Sequence, residues 1–402
     1  MKIRNRWIYV IAGTLILLFA GLVYAWSVMS APIAAQYPSW SKAQLSITFT
    51  LVMMFFCFGA VVGGLLAKKI NVRINILMAA ILFLAGFLIS SQATTLVTLY
   101  LSFGVCCGFA SGLTYNGVLG TMGKWFPDKP GLISGILLMG FGMGSFLIGK
   151  IYTAYTPLSA DGWRSSFRVF GIVITIVLLI GCFFFVVPKE EDLKNIPMAA
   201  KKKGQEVESI NARKMVCKSS FWFAFLWAVM LSATGLALIS QAGSIVLEVG
   251  GKGVAPGTIA TLVGMISIAN GIGRVIFGAL FDRFGQRVTM FTGGIIMLSA
   301  TLVMIGAFLS HSLVLLVIGF VFCGMVYGGV TATNAAFVNS FYGPENYAVN
   351  LSIINLNLMI ASFGSTFAGM LYDKSGSYLS TFVMMGVATV IGGISSALIK
   401  NK

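Results

Sequence analysis

The fold is decided by a short loop sequence, Gly278-Ala-Leu-Phe-Asp-Arg-Phe-Gly-Gln-Arg287, which directly follows a long apolar stretch. A degenerate copy, Gly64-Leu-Leu-Ala-Lys-Lys-Ile-Asn-Val-Arg73, also follows an apolar stretch and begins 214 residues earlier. That offset is close to half of the 402 residues. Because self-similarity at a fixed spacing marks a repeated architecture, we expect two similar halves with the loop at corresponding places.

The composition identifies the solvent as a lipid bilayer. Hydrophobic residues make up 58% of the chain and charged residues only 9%, and the mean hydropathy is +0.94. Soluble domains carry about 25% charged residues. An apolar helix of about 20 residues crosses a bilayer, and these runs are too long and too evenly apolar for barrel strands. We predict an all-α membrane protein with twelve transmembrane helices near 7–35, 44–66, 74–92, 95–122, 131–152, 166–187, 220–247, 256–281, 288–308, 312–338, 346–371 and 378–398.

A charged segment separates the two predicted halves. Residues 188–219 interrupt the hydrophobicity and contain Lys201-Lys-Lys203. We therefore predict a six-helix bundle over 1–187, a cytoplasmic linker over 188–219 and a second six-helix bundle over 220–402. A solvated tether is the simplest role for the linker, and contact with anionic lipid is the alternative.

The net charge of +16 follows the predicted topology. The Lys and Arg residues concentrate on the loops of one side, which also carries both termini and the linker. The loops and span ends of the other side hold Lys42, Lys150, Arg164, Arg168, Lys252 and Lys374. By the positive-inside rule, both termini and the linker lie in the cytoplasm, so nucleic acid is not an expected partner.

Cofactor and enzyme chemistry have no visible signature. The six cysteines fall in predicted spans or in the linker, so we expect no disulfide. No metal-ligand spacing and no nucleophile–base arrangement appears. We therefore expect no metal, no cofactor and no enzymatic activity.

The two six-helix halves, the linker and the repeated loop resemble the major facilitator superfamily. In that family the motif G-x-L-x-D-R-x-G-x-R joins the second span to the third and the eighth to the ninth. The resemblance implies a gating role for the intact second copy, at Gly278, Asp282, Arg283, Gly285 and Arg287. The first copy departs from the motif, with Lys68 in place of the Asp and Asn71 in place of the Gly.

Narrower patterns are similar to the oxalate/formate antiporter family. They are Gly21-Leu-Val-Tyr-Ala-Trp-Ser27, Tyr115 ahead of Lys124-Trp-Phe-Pro-Asp-Lys129, Gly140-Phe-Gly-Met-Gly144 and Gly271-Ile-Gly-Arg-Val-Ile-Phe-Gly278. The Asn270-x-x-x-Arg274 pair also resembles the Asp/Asn-x-x-x-Arg pair of monocarboxylate transporters. The resemblance implies passage of small carboxylates, with the eighth-span arginine gripping the carboxylate.

Arg274 also stands out on physical grounds, as the one charged residue well inside an apolar stretch. Intramembrane charge is costly and usually faces a cavity, and a guanidinium can hold a carboxylate through two hydrogen bonds. Helical spacing places Ser267 and Asn270 on the same face, where Asn270 can orient the guanidinium or the cargo. Snorkelling toward the headgroups is the alternative for Arg274.

Further polar residues are candidates for the same cavity. Tyrosine hydroxyls can donate to a carboxylate while their rings enclose a small cargo. The candidates are Tyr24, Trp26, Tyr115, Tyr327 and Asn357. For each of them a hydrogen bond between helices is an equally good interpretation.

Position 357 bears on the charge of the cargo. In the oxalate-specific members of the family that this chain resembles, the eleventh span carries a lysine, and the resemblance matches that position to Asn357. With one fixed cation, a dianion would keep an uncompensated charge, so we favour monoanions such as formate, lactate or pyruvate.

Together these observations predict a secondary transporter of the inner membrane that works by alternating access. Anion exchange and proton-coupled symport both stay open, because no Asp, Glu or His lies well inside a span. The alternatives are an oxalate or dicarboxylate antiporter, and a transporter-like carboxylate sensor that acts with a partner protein.

Overall fold

The computed structural model describes residues 6–66, 71–126, 130–156, 161–188, 210–251, 253–343 and 346–399. Within these ranges eleven helices are long and apolar enough to cross a membrane. Ten of them correspond to single predicted spans. They are α1 (Trp7–Gln36), α2 (Lys42–Leu66), α3 (Val72–Ser90), α4 (Leu96–Trp125), α5 (Pro130–Tyr155), α6 (Gly162–Phe184), α7 (Ser219–Gly250), α10 (Leu313–Tyr342), α11 (Val349–Ser375) and α12 (Leu379–Ala397).

The remaining helix, Pro256–Ser310, contains two predicted spans. Its 55 residues would extend roughly 80 Å, against about 30 Å for the hydrocarbon core of a bilayer. The backbone leaves the helical conformation at Gly285, where φ is 77° and ψ is −176°. We therefore treat it as α8 (256–284) and α9 (286–310), and the described part of the chain then holds the twelve predicted segments.

Three spans are irregular inside. A 3₁₀ segment, Gly21–Ala25, interrupts α1, and a π-helical segment, Tyr100–Cys107, lies within α4. The eleventh span consists of Tyr347–Ile354, Asn357–Ala361 and Phe363–Ser375 instead of one continuous helix. Side chains or packing must satisfy the backbone groups that such breaks release, so irregular turns in a membrane protein often occur beside polar residues.

The chain divides into two compact units. One comprises Met1–Trp40 and Leu51–Lys203, and the other comprises Ser41–Thr50 and Gly204–Lys402. The start of α2 therefore groups with the second unit, although the rest of α2 belongs to the first. Most of the predicted linker, residues 189–209, lies outside the described residues.

Glycine contacts bring helices into close approach within the first unit. A β-carbon at Gly21 would overlap the carbonyl of Phe141, so the backbones of α1 and α5 touch at this point. In the same unit Ser111 Oγ donates to the carbonyl of Ala20 at 2.9 Å. Small residues and interhelical hydrogen bonds of this kind are typical of helix packing in membranes.

Candidate substrate site

Arg274 lies on α8 and is only partly paired. Its Nε donates to Oδ1 of Asn270, one turn earlier on the same helix, at 3.2 Å. Its Nη1 is buried and has no hydrogen-bond partner among the described residues. A buried polar group left unpaired costs about 1–3 kcal/mol, and more when it is charged. The guanidinium therefore retains buried donor capacity that a carboxylate oxygen could use.

Close packing between α8 and α10 fixes the backbone around Arg274. A β-carbon at Gly273 would overlap the carbonyl of Met325 on α10. In the reverse direction, a β-carbon at Gly328 would overlap the carbonyl of Asn270. Only glycine fits at these two positions, so the backbones of α8 and α10 are in direct contact beside the Asn270–Arg274 pair.

The second unit also contains a buried amide cluster, formed by α7, α10 and α11. Asn357, which is 1% exposed, donates through Nδ2 to Ser232 Oγ at 3.0 Å. Asn334 donates to the side-chain oxygens of Asn355 and Asn357, each at 3.5 Å. Oδ1 of Asn334 is buried without a hydrogen-bond partner in the described part of the chain.

Two members of this cluster were missed by the sequence analysis. Asn355 lies in the break of α11, and Ser232 lies on α7. The Asn-x-Asn spacing of residues 355–357 was a usable signal, because amide side chains favour turns over helix interiors. The break also separates Asn350 from Asn357, which a continuous helix would place on one face. Asn350 donates to the carbonyl of Ile210 instead.

Tyr327 is on α10, and its ring packs against α7. The side chain is 2% exposed, and a β-carbon at Gly235 on α7 would lie 2.6 Å from its ring. Tyr327 directly precedes Gly328, the residue in contact with the Asn270 carbonyl. Tyr327 is therefore on the helix that packs against α8, the helix of Arg274. Its ring is closely packed against α7.

Three of the predicted residues lie in the first unit, and two of them pack against the same phenylalanine. The rings of Tyr24 and Tyr115 both contact Phe141, with centroid distances of 5.6 Å and 5.3 Å. Trp26, 1% exposed, packs at 5.0 Å against Phe103 instead. Trp26 therefore packs against a different phenylalanine from the one that the two tyrosines share.

The two copies of the loop motif have different local structures. In the second copy Asp282, Arg283 and Arg287 are exposed, and Gly285 has the positive φ that favours glycine. A side chain added at Gly278 would meet nothing within 4 Å.

In the first copy Asn71 is an N-cap, and its side chain accepts a hydrogen bond from the Arg73 amide at 3.1 Å. The second copy thus bends at a glycine, whereas the first starts a new helix. The predicted departure at Lys68 lies outside the described residues.

Comparisons with known proteins agree with the helical architecture. Residues 11–361 and 228–401 match the family model described as Major Facilitator Superfamily. No group of three or more His, Cys, Asp or Glu residues in the described part of the chain could hold a metal ion.

Relatives cover most of the chain. The uncharacterized MFS-type transporter YhjX of Escherichia coli (strain K12) is 27% identical over 360 residues, which is 89% of this chain and 86% of that protein. The oxalate:formate antiporter of Oxalobacter formigenes is 24% identical over 351 residues, with coverages of 85% and 80%. Monocarboxylate transporter 13 of Rattus norvegicus is 23% identical over 342 residues, with coverages of 83% and 75%.

Solved structures establish the same fold. A bacterial homolog of the human lysosomal transporter Spinster, in an inward-facing and unoccupied conformation, matches with a TM-score of 0.75 and 17% identity. That match covers 99% of this chain and 98% of the other. The xylose transporter XylE from E. coli matches with a TM-score of 0.70 and 13% identity, with coverages of 96% and 97%.

Proposed function

The chain belongs to the major facilitator superfamily, and from that premise we propose that it carries small carboxylate monoanions with Arg274 as the charge partner. The predicted resemblance and fold are confirmed, and the protein is a multi-pass membrane transporter, not an enzyme. The proposal concerns what it carries and how.

One observation carries the proposal. Nη1 of Arg274 is buried without a hydrogen-bond partner among the described residues, while Nε is held by Asn270. Within the same residues no carboxylate forms an ion pair with this guanidinium. Arginine does not lose its proton under physiological conditions, so its positive charge stays available to pair with an anion. A carboxylate supplies two acceptor oxygens in the geometry that the guanidinium fork prefers.

The names of two relatives support this chemistry. One relative is named an oxalate:formate antiporter and another a monocarboxylate transporter. Both names specify small carboxylates, and both proteins align with this chain over most of its length. Their identities of 24% and 23% leave the individual cargo open.

The charge balance of the second unit favours a monoanion. The span α11 contains no Lys or Arg between Val349 and Leu371. The position proposed for a second cation is taken by Asn357, whose amide is already bonded to Ser232 and Asn334. A second carboxylate would thus meet neutral amides in place of a cation, and the desolvation of its charge would be poorly offset. Formate, lactate and pyruvate fit this balance better than oxalate.

We also propose the mode of transport and its orientation. The two units expose the site alternately to each side of the inner membrane, with both termini in the cytoplasm. Exchange of one carboxylate for another needs no buried acid, and a proton can travel bound to the cargo acid. Both coupling modes therefore remain part of the proposal. Tyr24, Tyr115, Tyr327 and Trp26 are proposed to contribute to enclosing the cargo.

Dicarboxylate exchange and carboxylate sensing through a partner protein are the competing functions. A thermal-unfolding panel of unlabelled mono- and dicarboxylates on the purified protein separates them from the proposal. A ligand that binds only the folded protein raises its stability, by about 2.7 kcal/mol at 100 times the dissociation constant. We expect stabilisation by monocarboxylates that is absent in Arg274→Lys and retained in Arg213→Lys, a control at an exposed arginine.

Stabilisation by dicarboxylates alone would support the competing exchanger. Stabilisation by monocarboxylates without any uptake into proteoliposomes would support the sensor. Equal stabilisation of wild type and Arg274→Lys would refute the proposed role of Arg274.

A further inference from the structure

Helix α2 is divided between the two units. Lys42–Leu66 forms one helix, yet residues Ser41–Thr50 group with the second unit and Leu51 onward groups with the first. A relative movement of the units must therefore bend α2 or break the contacts made by one of its two parts. The contacts of residues 41–50 bear on whether α2 bends or whether these contacts break.

Hydrogen bonds to nearby residues satisfy only some of the backbone N–H groups at the N-terminus of α2. Ser41 and Gln44 form a reciprocal capping box. The backbone N–H of Gln44 donates to Ser41 Oγ at 3.2 Å, and the backbone N–H of Ser41 donates to the side-chain Oε1 of Gln44 at 2.9 Å. The amides of Lys42 and Ala43, which lie between these two, have no partner within the helix because they belong to its first turn.

Asp373 supplies the missing acceptors from the end of α11. Its Oδ1 accepts from the Lys42 amide at 3.0 Å, and its Oδ2 accepts from the Ala43 amide at 2.9 Å. The two oxygens of one carboxylate thus complete the cap of a helix that starts 331 residues earlier. The negative charge also complements the positive end of the helix dipole.

Over the next two turns, the same face of α2 makes further hydrogen bonds to the second unit. Ser46 Oγ accepts from Gln241 Nε2 on α7 at 2.5 Å. Thr50 Oγ1 lies 2.7 Å from Ser365 Oγ and donates to the Ser362 carbonyl at 2.9 Å. Residues 42, 46 and 50 are spaced by one turn each, so this face makes its polar contacts with the second unit.

The close approach of α2 to α11 depends on Gly369. A β-carbon at Gly369 would lie 2.7 Å from the backbone nitrogen and Cα of Ala43. The junction therefore combines hydrogen bonds with small side chains. Because the two hydrogen bonds to Asp373 are exposed, water can replace them when they open, so this end of the contact can form and release reversibly.

We propose that Asp373 is a releasable cap, which holds the first turns of α2 in the second unit in one state of the transport cycle. In the other state the cap opens and α2 moves as one helix with the first unit. Asp373 thus acts on the movement of α2 and does not touch the cargo. The inference rests on the proposed alternating exposure, because only that movement forces α2 to leave one unit.

A thiol reporter tests the release without any cargo. Ser46, 3% exposed, is replaced by cysteine in a full-length protein whose six native cysteines are serines. We expect Asp373→Asn to raise the maleimide labelling rate at this position by about threefold or more, because the capped state loses population. Asp373→Glu, which keeps the carboxylate, should stay closer to the parent rate. Lys374→Ala, an exposed neighbouring charge, should leave the rate unchanged.

Labelling rates are compared only among variants that are equally well folded, and thermal unfolding of each variant verifies this. Unchanged labelling in a folded Asp373→Asn variant would overturn the proposal. A rise of the same size in Lys374→Ala would also overturn it, because the effect would then be one of general charge.

A reversible cross-link tests whether the release is needed for transport. Ser365 Oγ lies 3.4 Å from the Ser46 carbonyl, so Ser46→Cys with Ser365→Cys can be joined by a disulfide or a short bis-thiol reagent. We expect the disulfide to stop carboxylate counterflow and reduction to restore it, with each single variant unaffected by oxidant. Undiminished counterflow in fully cross-linked protein would overturn the cap proposal while leaving the carboxylate function standing. If the uncross-linked protein does not move carboxylates, that result would instead contradict the proposed transport function. The labelling experiment would then still test whether Asp373 is a releasable cap.

Discussion

Oδ1 of Asn270 accepts a hydrogen bond from Nε of Arg274 at 3.2 Å, so a neutral amide holds a guanidinium that lies within a membrane-spanning helix. An amide oxygen orients the guanidinium without cancelling its charge. The full cation therefore remains available to an anion, and this distinguishes the pair from an internal salt bridge. The chemistry of the residue at position 270 should consequently control when Arg274 can bind cargo.

Asn270→Asp should make transport pH-dependent. An ionised carboxylate at position 270 would pair with Arg274 and compete with the cargo, whereas a protonated one would release the guanidinium. We expect carboxylate uptake by Asn270→Asp to be low at pH 8 and to rise as the pH falls, with a smaller change in the wild type. Uptake into proteoliposomes at a series of pH values measures this, with equal pH on both sides of the membrane.

Asn270→Ala is the matched variant for that experiment. It removes the acceptor without adding a charge, so KM should rise by about tenfold without a new pH dependence. A flat pH profile for Asn270→Asp would contradict the neutral-orienter account of this residue.

Asn357→Lys should shift preference toward dicarboxylates. Asn357 is buried beside Ser232 and Asn334, and a lysine at this position would add a second cation to the second unit. A second charge on the cargo would then have a partner in a low-dielectric setting. Competition of oxalate against formate or lactate measures the shift. Asn357→Gln controls for side-chain length, and an unchanged preference in Asn357→Lys would count against the charge-balance argument.

Gly328→Ala should destabilise the contact between α8 and α10. The added methyl group would overlap the Asn270 carbonyl, and overpacking of this kind costs about 1–3 kcal/mol. Because the displaced residue is Asn270 itself, we expect both the midpoint of thermal unfolding and the affinity for carboxylates to fall. Gly306→Ala, where a β-carbon meets nothing within 4 Å, should change neither. Equal behaviour of the two variants would argue against the close approach.

Gly285→Ala should destabilise the connection between α8 and α9. The φ of 77° and ψ of −176° belong to a region open mainly to glycine, so alanine should cost about 1–3 kcal/mol. Thermal unfolding measures the loss. Gly294→Ala, in open space within the helical part of α9, serves as the control and should be near neutral.

The transmembrane helices could be predicted from the sequence because their signal is local. Each span is a continuous apolar run whose length is set by the bilayer, and the repeated loop identified the two halves. Internal breaks were less accessible, because the apolar run of α11 continues on both sides of Asn355 and only the asparagines at 355 and 357 mark the break.

The candidate site was only partly predictable, for a different physical reason. Asn270 and Arg274 are four residues apart, so helical spacing alone brought them together. The partners of Asn357 lie on other helices, at Ser232 and Asn334, and the partner of the α2 N-terminus is Asp373. Such contacts depend on how distant helices pack, which a single sequence does not display.

The packing of Trp26 illustrates the same limit. Its sequence neighbourhood resembles that of Tyr24, two residues away, yet the irregular turn Gly21–Ala25 lies immediately before it. Tyr24 contacts Phe141, whereas Trp26 contacts Phe103. Separate substitutions of Tyr24 and Trp26 therefore test the proposed contribution of each side chain to enclosing the cargo.

The most direct measurement for the central claim is carboxylate uptake by Arg274→Lys in proteoliposomes, beside wild type and Arg213→Lys. Lysine keeps the positive charge but loses the planar fork that can bind both oxygens of a carboxylate. We predict that kcat/KM for a monocarboxylate falls by about 10- to 100-fold in Arg274→Lys and is unchanged in Arg213→Lys. Near-normal uptake by a well-folded Arg274→Lys variant would contradict the assignment of Arg274 as the charge partner of the cargo.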